Sequence, residues 1–177
     1  MKKKVLSIVA VVLVLCCAIG GTLAWLTDKT ASVTNTFTVG DINIELKETT
    51  TNYKMVPGNT ITKDPKVTVQ ANSEACWLFV KVEESANFDS FMTYAMADGW
   101  TALPGVTGVY YREVAATTAA TDFSVLKDNS VLVKDSVTKA MLNGLSETTF
   151  PTLTFTAYAV QKDNVNSAAD AWAKANA

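Results

Sequence analysis

The chain has few side chains of the kinds that carry out chemistry in proteins. It contains no histidine in 177 residues, which excludes Ser-His-Asp and Cys-His nucleophile systems and every histidine-ligated zinc or iron site. A Walker loop, a dinucleotide-binding glycine fingerprint, a CxxC pair and a nucleophile elbow are also missing from the sequence. We therefore predict that the protein is not an enzyme and uses no metal or cofactor.

Three weaker candidates for chemistry remain. The run Asp163-Asn164-Val165-Asn166 resembles a calcium loop, but Val165 stands where an oxygen ligand is required. Glu83 and Glu84 are adjacent on a predicted strand, so they point to opposite faces and do not share a site. Cys76 is alone once the two cysteines of the apolar N-terminus are set aside. We predict a small buried apolar role for it, with a cross-link between subunits as the alternative.

Aromatic residues offer a further possibility, a face that binds sugars. Aromatic residues also fill the cores of β-sandwiches, and several of these alternate with hydrophobic neighbours, which favours core packing. The residues concerned are Trp77, Phe79, Trp100, Tyr110, Tyr111 and Tyr158.

The N-terminus has the three parts of a secretory signal. Lys2-Lys3-Lys4 is the basic region, and Val5 to Leu15 is almost entirely apolar. The run Thr22-Leu23-Ala24 then has small residues at the two positions that a signal peptidase reads. We predict a signal peptide over residues 1–24, cut between Ala24 and Trp25, and secretion to the extracellular matrix or cell surface. A retained membrane anchor and a lipoprotein are the alternatives; the apolar run is shorter than the roughly 20 residues that a spanning helix needs.

Charge limits the partners of the secreted part. Removing the three lysines of the leader from the 15 basic residues leaves 12 against 17 acidic residues, a net charge of −5. An acidic protein lacks the basic patch that binds phosphates, so we predict no nucleic-acid partner. The same charge argues against binding to anionic membranes, so membrane contact is expected only through the uncleaved signal peptide.

Most of the secondary structure that would position a site is predicted to be β-strand. Period-2 alternation or apolar runs, separated by turn signals such as Pro57-Gly58-Asn59, predict seven or eight strands. Short helical turns are expected near Phe88 to Met96 and Thr138 to Leu142, and a terminal helix after Ser167. The fold class is therefore all-β, a jelly-roll-like β-sandwich with short helical insertions and a short C-terminal helix. The clearest strands are Ile42 to Leu46, Val67 to Val69, Cys76 to Glu83, Val109 to Val114 and Leu153 to Val160.

Residues 25–40 form a separate N-terminal segment ahead of the domain at 41–177. The segment is uncharged between Lys29 and Gly40 and has apolar residues at even spacing near its end. Such a segment can add as a strand to a neighbouring sheet. The alternatives are a first strand of its own domain or a frayed tail.

Three stretches resemble the TasA/camelysin family of Gram-positive bacteria. The first, GTLAWLTDKTASVTNTFTVGDINIEL, carries the family's Asn-x-Phe-x-x-Gly segment at Asn35, Phe37 and Gly40. The stretches PGNTITKDPKVTVQANSEACWLFVKVE and LTFTAYAVQKDNVNSAADAW are similar to the middle and the end of such proteins. The resemblance is specific at the N-terminus and looser over about residues 85–165.

The resemblance implies a jelly-roll domain released by a SipW-type signal peptidase, and a structural role in biofilm matrix or at the cell surface. Fibres would form when the N-terminal segment completes the sheet of the next subunit. The candidate anchor residues are Val33, Asn35, Phe37 and Val39. The resemblance also allows an accessory matrix protein as a partner. One alternative is a monomeric surface module that binds a protein or glycan through exposed Tyr110 and Tyr111. Another is a camelysin-type metalloprotease, for which the chain lacks HExxH.

Overall fold

The structure, a computed structural model, describes residues 41–51 and 53–175. These residues belong to a compact unit that spans Val39–Ala177. The predicted signal peptide, its cleavage site at Ala24 and Trp25, and the anchors at Val33, Asn35, Phe37 and Val39 all lie outside the described residues. The division at residues 24 and 40 therefore stays a prediction.

Ten strands in three antiparallel sheets make up the described part of the chain. The first sheet has the order β1-β3-β8, the second β10-β4-β7-β6 and the third β2-β9-β5. The strands are β1 (Ile44–Lys47), β2 (Thr60–Thr62), β3 (Lys66–Val69), β4 (Cys76–Glu84), β5 (Met92–Thr93), β6 (Thr101–Ala102), β7 (Val109–Val114), β8 (Thr121–Ser124), β9 (Ser130–Val133) and β10 (Leu153–Gln161). The helices are α1 (Phe88–Phe91), α2 (Lys139–Asn143) and α3 (Ala168–Ala175), with a 3₁₀ turn at Lys127–Asn129.

The central strand β4 is covered on both faces, as its sequence predicts. Cys76, Leu78, Val80 and Val82 alternate along one face and pack in a core with Val67 and Val69 of the first sheet. This core makes the first and second sheets the two layers of a sandwich, which confirms the predicted fold class. The other face of β4 carries Trp77 and Phe79, which belong to a second cluster.

Helix α3 closes that second cluster. The Ser167 hydroxyl accepts a hydrogen bond from the Asp170 backbone N–H at 3.1 Å and donates one to the Asp170 carboxylate at 2.7 Å. This is the predicted helix start, in which a short polar side chain satisfies an unpaired N–H of the first turn. The ring of Trp172, which is half-buried, then lies 5.3 Å from that of Phe79. The predicted terminal helix is therefore confirmed, with Trp172 on the side that packs against the core.

The third sheet and the two short helices enclose a third apolar cluster, which includes Phe88, Phe91, Val131 and Val133. Part of this region differs from the prediction. The helix expected near Phe88 to Met96 ends at Phe91, because Met92 is extended (φ −136°, ψ 165°) and pairs with Val133 as β5. Strands β2 and β5 are two or three residues long, too short to show a period, and so the predicted count of seven or eight strands is wrong.

Turns and helix ends were predicted correctly where a capping side chain or a glycine determines the backbone conformation. Gly58 has a φ of +75°, and the Asn59 N–H donates to the Val56 carbonyl at 3.0 Å. Pro57 and Gly58 therefore form the predicted turn, since this geometry favours glycine in its third position. Thr138 caps α2 by accepting a hydrogen bond from the Met141 N–H at 3.3 Å. Across the described residues, the helices are all too short or too polar to cross a bilayer.

Candidate functional site: an open strand edge and an apolar groove

Strand β10 forms one edge of the second sheet. It runs for nine residues, Leu153–Gln161, with the uncharged sequence LTFTAYAVQ. Within the described part of the chain, β4 is the one strand that pairs with it, from Leu153 opposite Glu84 to Gln161 opposite Cys76. The outer side of an edge strand presents main-chain N–H and C=O groups that another strand can pair with.

A groove begins where β10 begins. Its larger part has a volume of about 810 Å³ and its smaller part about 380 Å³. The two parts share Thr51, Lys63, Leu153 and Thr154 in their walls, so we treat them as one continuous edge groove. The edge groove therefore extends from the third sheet and α2, past the first residues of β10, to Leu46 of β1.

The wall of the edge groove is largely apolar, and two exposed apolar side chains lie at its rim. Val56 is 48% exposed and Phe150 is 50% exposed, and both line the larger part of the groove. Among the described residues, the third large apolar side chain with comparable exposure is Leu132, which does not line it. Exposed apolar side chains grouped at a concave surface mark places where a partner binds.

A nearly buried ion pair lies where the two parts of the groove meet. Lys63 Nζ is 2.6 Å from Glu48 Oε1, and the side chains are 11% and 15% exposed. The Tyr53 hydroxyl donates a second hydrogen bond to Glu48 at 2.7 Å. The ammonium also lies 5.1 Å from the Tyr53 ring centre and 5.3 Å from that of Phe155. Lys63 thus connects the segment after β1 to the start of β10.

Burial is the main reason that the pKa of Tyr53 lies well above its usual range, and the hydrogen bond to Glu48 and the charge of that carboxylate add to it. The phenol therefore stays neutral and acts as a hydrogen-bond donor over the whole physiological range. This group of three side chains positions charges but contains no nucleophile paired with a base, so its contribution is to the shape of the groove.

The aromatic residues considered for sugar binding are largely packed inside. Trp77, Phe79 and Trp100 are buried, and the Trp77 indole N–H donates to the Val165 carbonyl at 3.1 Å. Tyr111 lies against Trp77 with ring centres 5.9 Å apart, while Tyr110 packs against the sandwich core. Core packing is confirmed for the buried three. The expectation that Tyr110 and Tyr111 are exposed is wrong, because both are half-buried.

The other candidates also have structural roles. Cys76 is fully buried, and burial raises the pKa of its thiol to about 11, which confirms the small apolar role. Glu83 pairs with Lys81 at 2.8 Å, while Glu84 accepts a hydrogen bond from the Tyr94 hydroxyl at 2.7 Å. The two carboxylates are therefore engaged separately, as their adjacent positions on a strand require.

The acidic residues and Cys76 are also the side chains that could bind a metal ion. Over residues 41–51 and 53–175, the structure brings together no group of three or more cysteine, aspartate or glutamate residues suited to holding an ion. In the run that resembled a calcium loop, Val165 is buried and its carbonyl is already taken by Trp77.

Sequence reasoning missed the edge groove itself. Lys63, Glu48 and Tyr53 come together only because β1 and β2 are brought to the same end of β10, and no local pattern signals that. Phe150 could have been found from the sequence, since this large apolar residue follows the polar run Ser146 to Thr149 and precedes Pro151.

Comparison with known proteins supports the family suggested by the sequence. Residues 1–77 match the model of a family described as camelysin metallo-endopeptidase. The match includes the predicted signal peptide and N-terminal segment and ends at the second residue of β4. Searches of curated proteins and of solved structures gave no match.

Proposed function

We propose that this chain, whose first 77 residues belong to the camelysin family, is a secreted structural protein of the extracellular matrix or cell surface that assembles into fibres by adding its N-terminal segment to the next copy. The observation that supports this most is the outer edge of β10, which no strand of the described residues pairs with, beside an apolar groove. Such an edge is suited to accept a strand from another copy.

The chain also supplies a segment suited to that acceptor. Residues 33–39, VTNTFTV, are uncharged. In an extended conformation, Val33, Asn35, Phe37 and Val39 would share one face of the strand. At about 3.3 Å per residue, seven residues extend about 23 Å and fit along the roughly 30 Å of β10. Main-chain hydrogen bonds would supply affinity, and Phe37 and Val39 would fix the register in the groove.

Secretion and processing follow from the N-terminus. The predicted cut between Ala24 and Trp25 by a SipW-type signal peptidase would free the segment at one end. A donor strand needs such freedom, because a segment held by its leader in a membrane cannot reach another subunit.

We also propose that the protein is not a peptidase, although the family description names one. The metallopeptidases that use the HExxH motif hold zinc through its two histidines, and this chain has none. Hydrolysis of a protein substrate by the purified chain, abolished by a chelator, would overturn this part of the proposal.

The assembly proposal is tested with three forms of the protein that begins at Trp25. The first is unaltered, the second lacks Trp25 to Val39, and the third carries Val56→Ser and Phe150→Ser at the rim of the groove. Size-exclusion chromatography and negative-stain microscopy at low and high concentration would report assembly. Leu132→Ser is the matched control, since Leu132 is exposed to a similar degree but lies away from the groove.

We expect oligomers or filaments from the unaltered form and from Leu132→Ser, and monomers from the other two. Filaments formed without residues 25–39 would show that the N-terminal segment is not the donor. Normal filaments from the rim variant would show that the edge groove is not the acceptor. A protein that stays monomeric at every concentration would favour the surface-module alternative.

A further inference from the structure

Arg112 is the single arginine of the chain, and it occupies an unusual position on β7. It lies at the side of the sandwich opposite β10, near the start of the short edge strand β6. Its guanidinium carbon is 4.1 Å from the Phe123 ring centre and 5.3 Å from that of Trp100. Arginine, unlike lysine, stacks flat on aromatic rings while its edge stays available for hydrogen bonds.

The backbone of Gly99 covers another side of the guanidinium. A Cβ built on Gly99 would lie 2.8 Å from Arg112 Nη2 and 3.2 Å from Cζ, so a larger residue at position 99 would push the guanidinium out of its present position. Trp100 is itself fixed, because its indole N–H donates to the Ser124 carbonyl at 2.8 Å. The guanidinium is therefore held by rigid walls from a turn and from β8, which fixes its orientation.

No anion of the described chain neutralises this held cation. Over residues 41–51 and 53–175, no carboxylate oxygen lies within 4.0 Å of Arg112, and its Nε is buried without a hydrogen-bond partner. Arg112 as a whole is half-buried, and Nε is the one atom of its guanidinium that is both buried and without a hydrogen-bond partner in the described structure. Burial lowers the pKa of Arg112 from its usual value, which indicates that the charge has lost part of its solvation.

The acidic residues nearest in sequence are engaged elsewhere. Glu113, the next residue, pairs with Lys162. Asp122 accepts hydrogen bonds from Lys66 at 3.1 Å and Thr68 at 2.7 Å, beside Phe123. Rearrangement of either carboxylate toward Arg112 would break an existing ion pair. Asp98, which precedes Gly99, is exposed and also forms no ion pair with Arg112 among the described residues, so the site is open to an anion from another molecule.

We propose that the terminal nitrogens of Arg112, between Trp100 and Phe123, bind a glutamate or aspartate side chain of a partner protein. A fixed guanidinium edge matches the two oxygens of a carboxylate, which gives paired charge-assisted hydrogen bonds. The aromatic and glycine walls keep the fork in place before the partner arrives, so less side-chain entropy is lost on binding. The net charge of −5 after removal of the leader disfavours a polyanion and favours a single carboxylate.

The single arginine makes a direct test practical. In nitrogen-15 labelled full chain, one arginine Nε–Hε signal is expected, and it reports on Arg112 alone. N-acetylglutamate α-amide, which carries one side-chain carboxylate, is titrated at constant ionic strength, with glucuronate and inorganic phosphate as comparison probes. The Gly99 amide and the Trp100 indole N–H serve as reporters in variants that lack the arginine.

We expect the glutamate derivative to shift the Nε–Hε signal in a saturable manner, and Arg112→Lys to weaken its binding at least about tenfold because lysine cannot form the paired fork. Lys81→Met, which removes a surface cation of the same sheet, should bind as the unaltered chain does. A signal that does not move, or equal binding by Arg112→Lys with an unchanged spectrum elsewhere, would overturn the proposal. Tighter binding of glucuronate or phosphate than of the glutamate derivative would show that the partner is not a protein carboxylate.

Discussion

The ion pair between Lys63 and Glu48 should be among the most sensitive polar contacts in the domain. Both side chains are almost excluded from water, at 11% and 15% exposure, and their charged atoms are 2.6 Å apart. Removing one member of such a pair leaves the other charge buried, which costs about 3–5 kcal/mol. Glu48 would keep its hydrogen bond from Tyr53, so we expect Lys63→Met to cost about 3 kcal/mol, at the lower end of that range.

The double variant separates the value of the pair from the cost of breaking it. Glu48→Gln alone should cost about 2 kcal/mol, less than Lys63→Met, because the remaining ammonium still faces the rings of Tyr53 and Phe155. Lys63→Met combined with Glu48→Gln should cost roughly 1 kcal/mol, since no buried charge remains. The cost of the double variant would then fall short of the sum of the two single costs. This difference, the coupling free energy, is several times the deviation from additivity that is usual for two independent sites.

Urea unfolding of the full chain, followed by tryptophan fluorescence, would measure these free energies. Lys47→Met is the control, because Lys47 is paired with Glu45 at 2.7 Å but its side chain is 69% exposed, and such pairs contribute at most about 1 kcal/mol. If Lys63→Met costs no more than Lys47→Met, or if the two changes at Lys63 and Glu48 are simply additive, the burial argument is refuted.

Three further predictions concern other parts of the fold. Gly108→Ala should destabilise the protein by about 2 kcal/mol or more in the same unfolding assay. The reason is that Gly108 has a φ of +74° and a Cβ there would lie 2.5 Å from the Val82 carbonyl oxygen. Gly105→Ala is the control for the clash, because Gly105 has a similar φ of +78° but open space around it. Cys76 should resist iodoacetamide at neutral pH in the folded state and react once urea is added. Since its folded pKa of about 11 lies above the unfolded value, this group stabilises the fold below about pH 8.5 and the contribution is lost as the pH rises toward 11. Hydrogen bonds from Thr68 and, to a smaller extent, Lys66 lower the pKa of Asp122, so the contribution of Asp122 to folding stability is present above the unfolded pKa and is lost as the pH falls through the folded pKa. Asp122→Asn should therefore reduce the loss of stability on acidification below about pH 4. An acid transition that is the same in the variant would contradict this.

The parts of the fold that could be predicted are those with a local cause. The period of β4, in which Leu78 and Val80 alternate with Trp77 and Phe79, assigned both of its faces correctly. Ser167 and Asp170 marked the start of α3 through their reciprocal hydrogen bonds. In each case the residues that carry the signal are within a few positions of one another, so one sequence contains the whole pattern.

The parts that could not be predicted depend on long-range pairing. Strand β5 exists because Met92 meets Val133, and a two-residue strand has no period of its own. The contact between Lys63 and Glu48 spans 15 residues, and Arg112 reaches Phe123 only because β7 and β8 lie in facing layers. Composition did contain one unused signal, since a single arginine in an otherwise lysine-rich set indicates a place where a planar cation matters.

The six sheet edges of the described chain differ in how well they resist pairing with another molecule. Edges β2, β5 and β6 have two or three residues, which is too short to template a partner strand. Edges β1 and β8 are four residues long and carry charges, Glu45 and Lys47 on β1 and Asp122 on β8. Short length and charge are the usual protections of an edge.

Strand β10 has neither protection, since its nine residues are uncharged and Pro151 lies before the strand, where it blocks no pairing. A monomer that kept such an edge open would risk aggregation each time two copies met. An edge meant for a specific strand needs the opposite properties, namely length, no charge and an adjacent apolar pocket that selects one register. The edge groove, with Phe150 and Val56 at its rim, meets the last of these requirements, which supports the proposal that the outer edge of β10, unpaired among the described residues, is an assembly site.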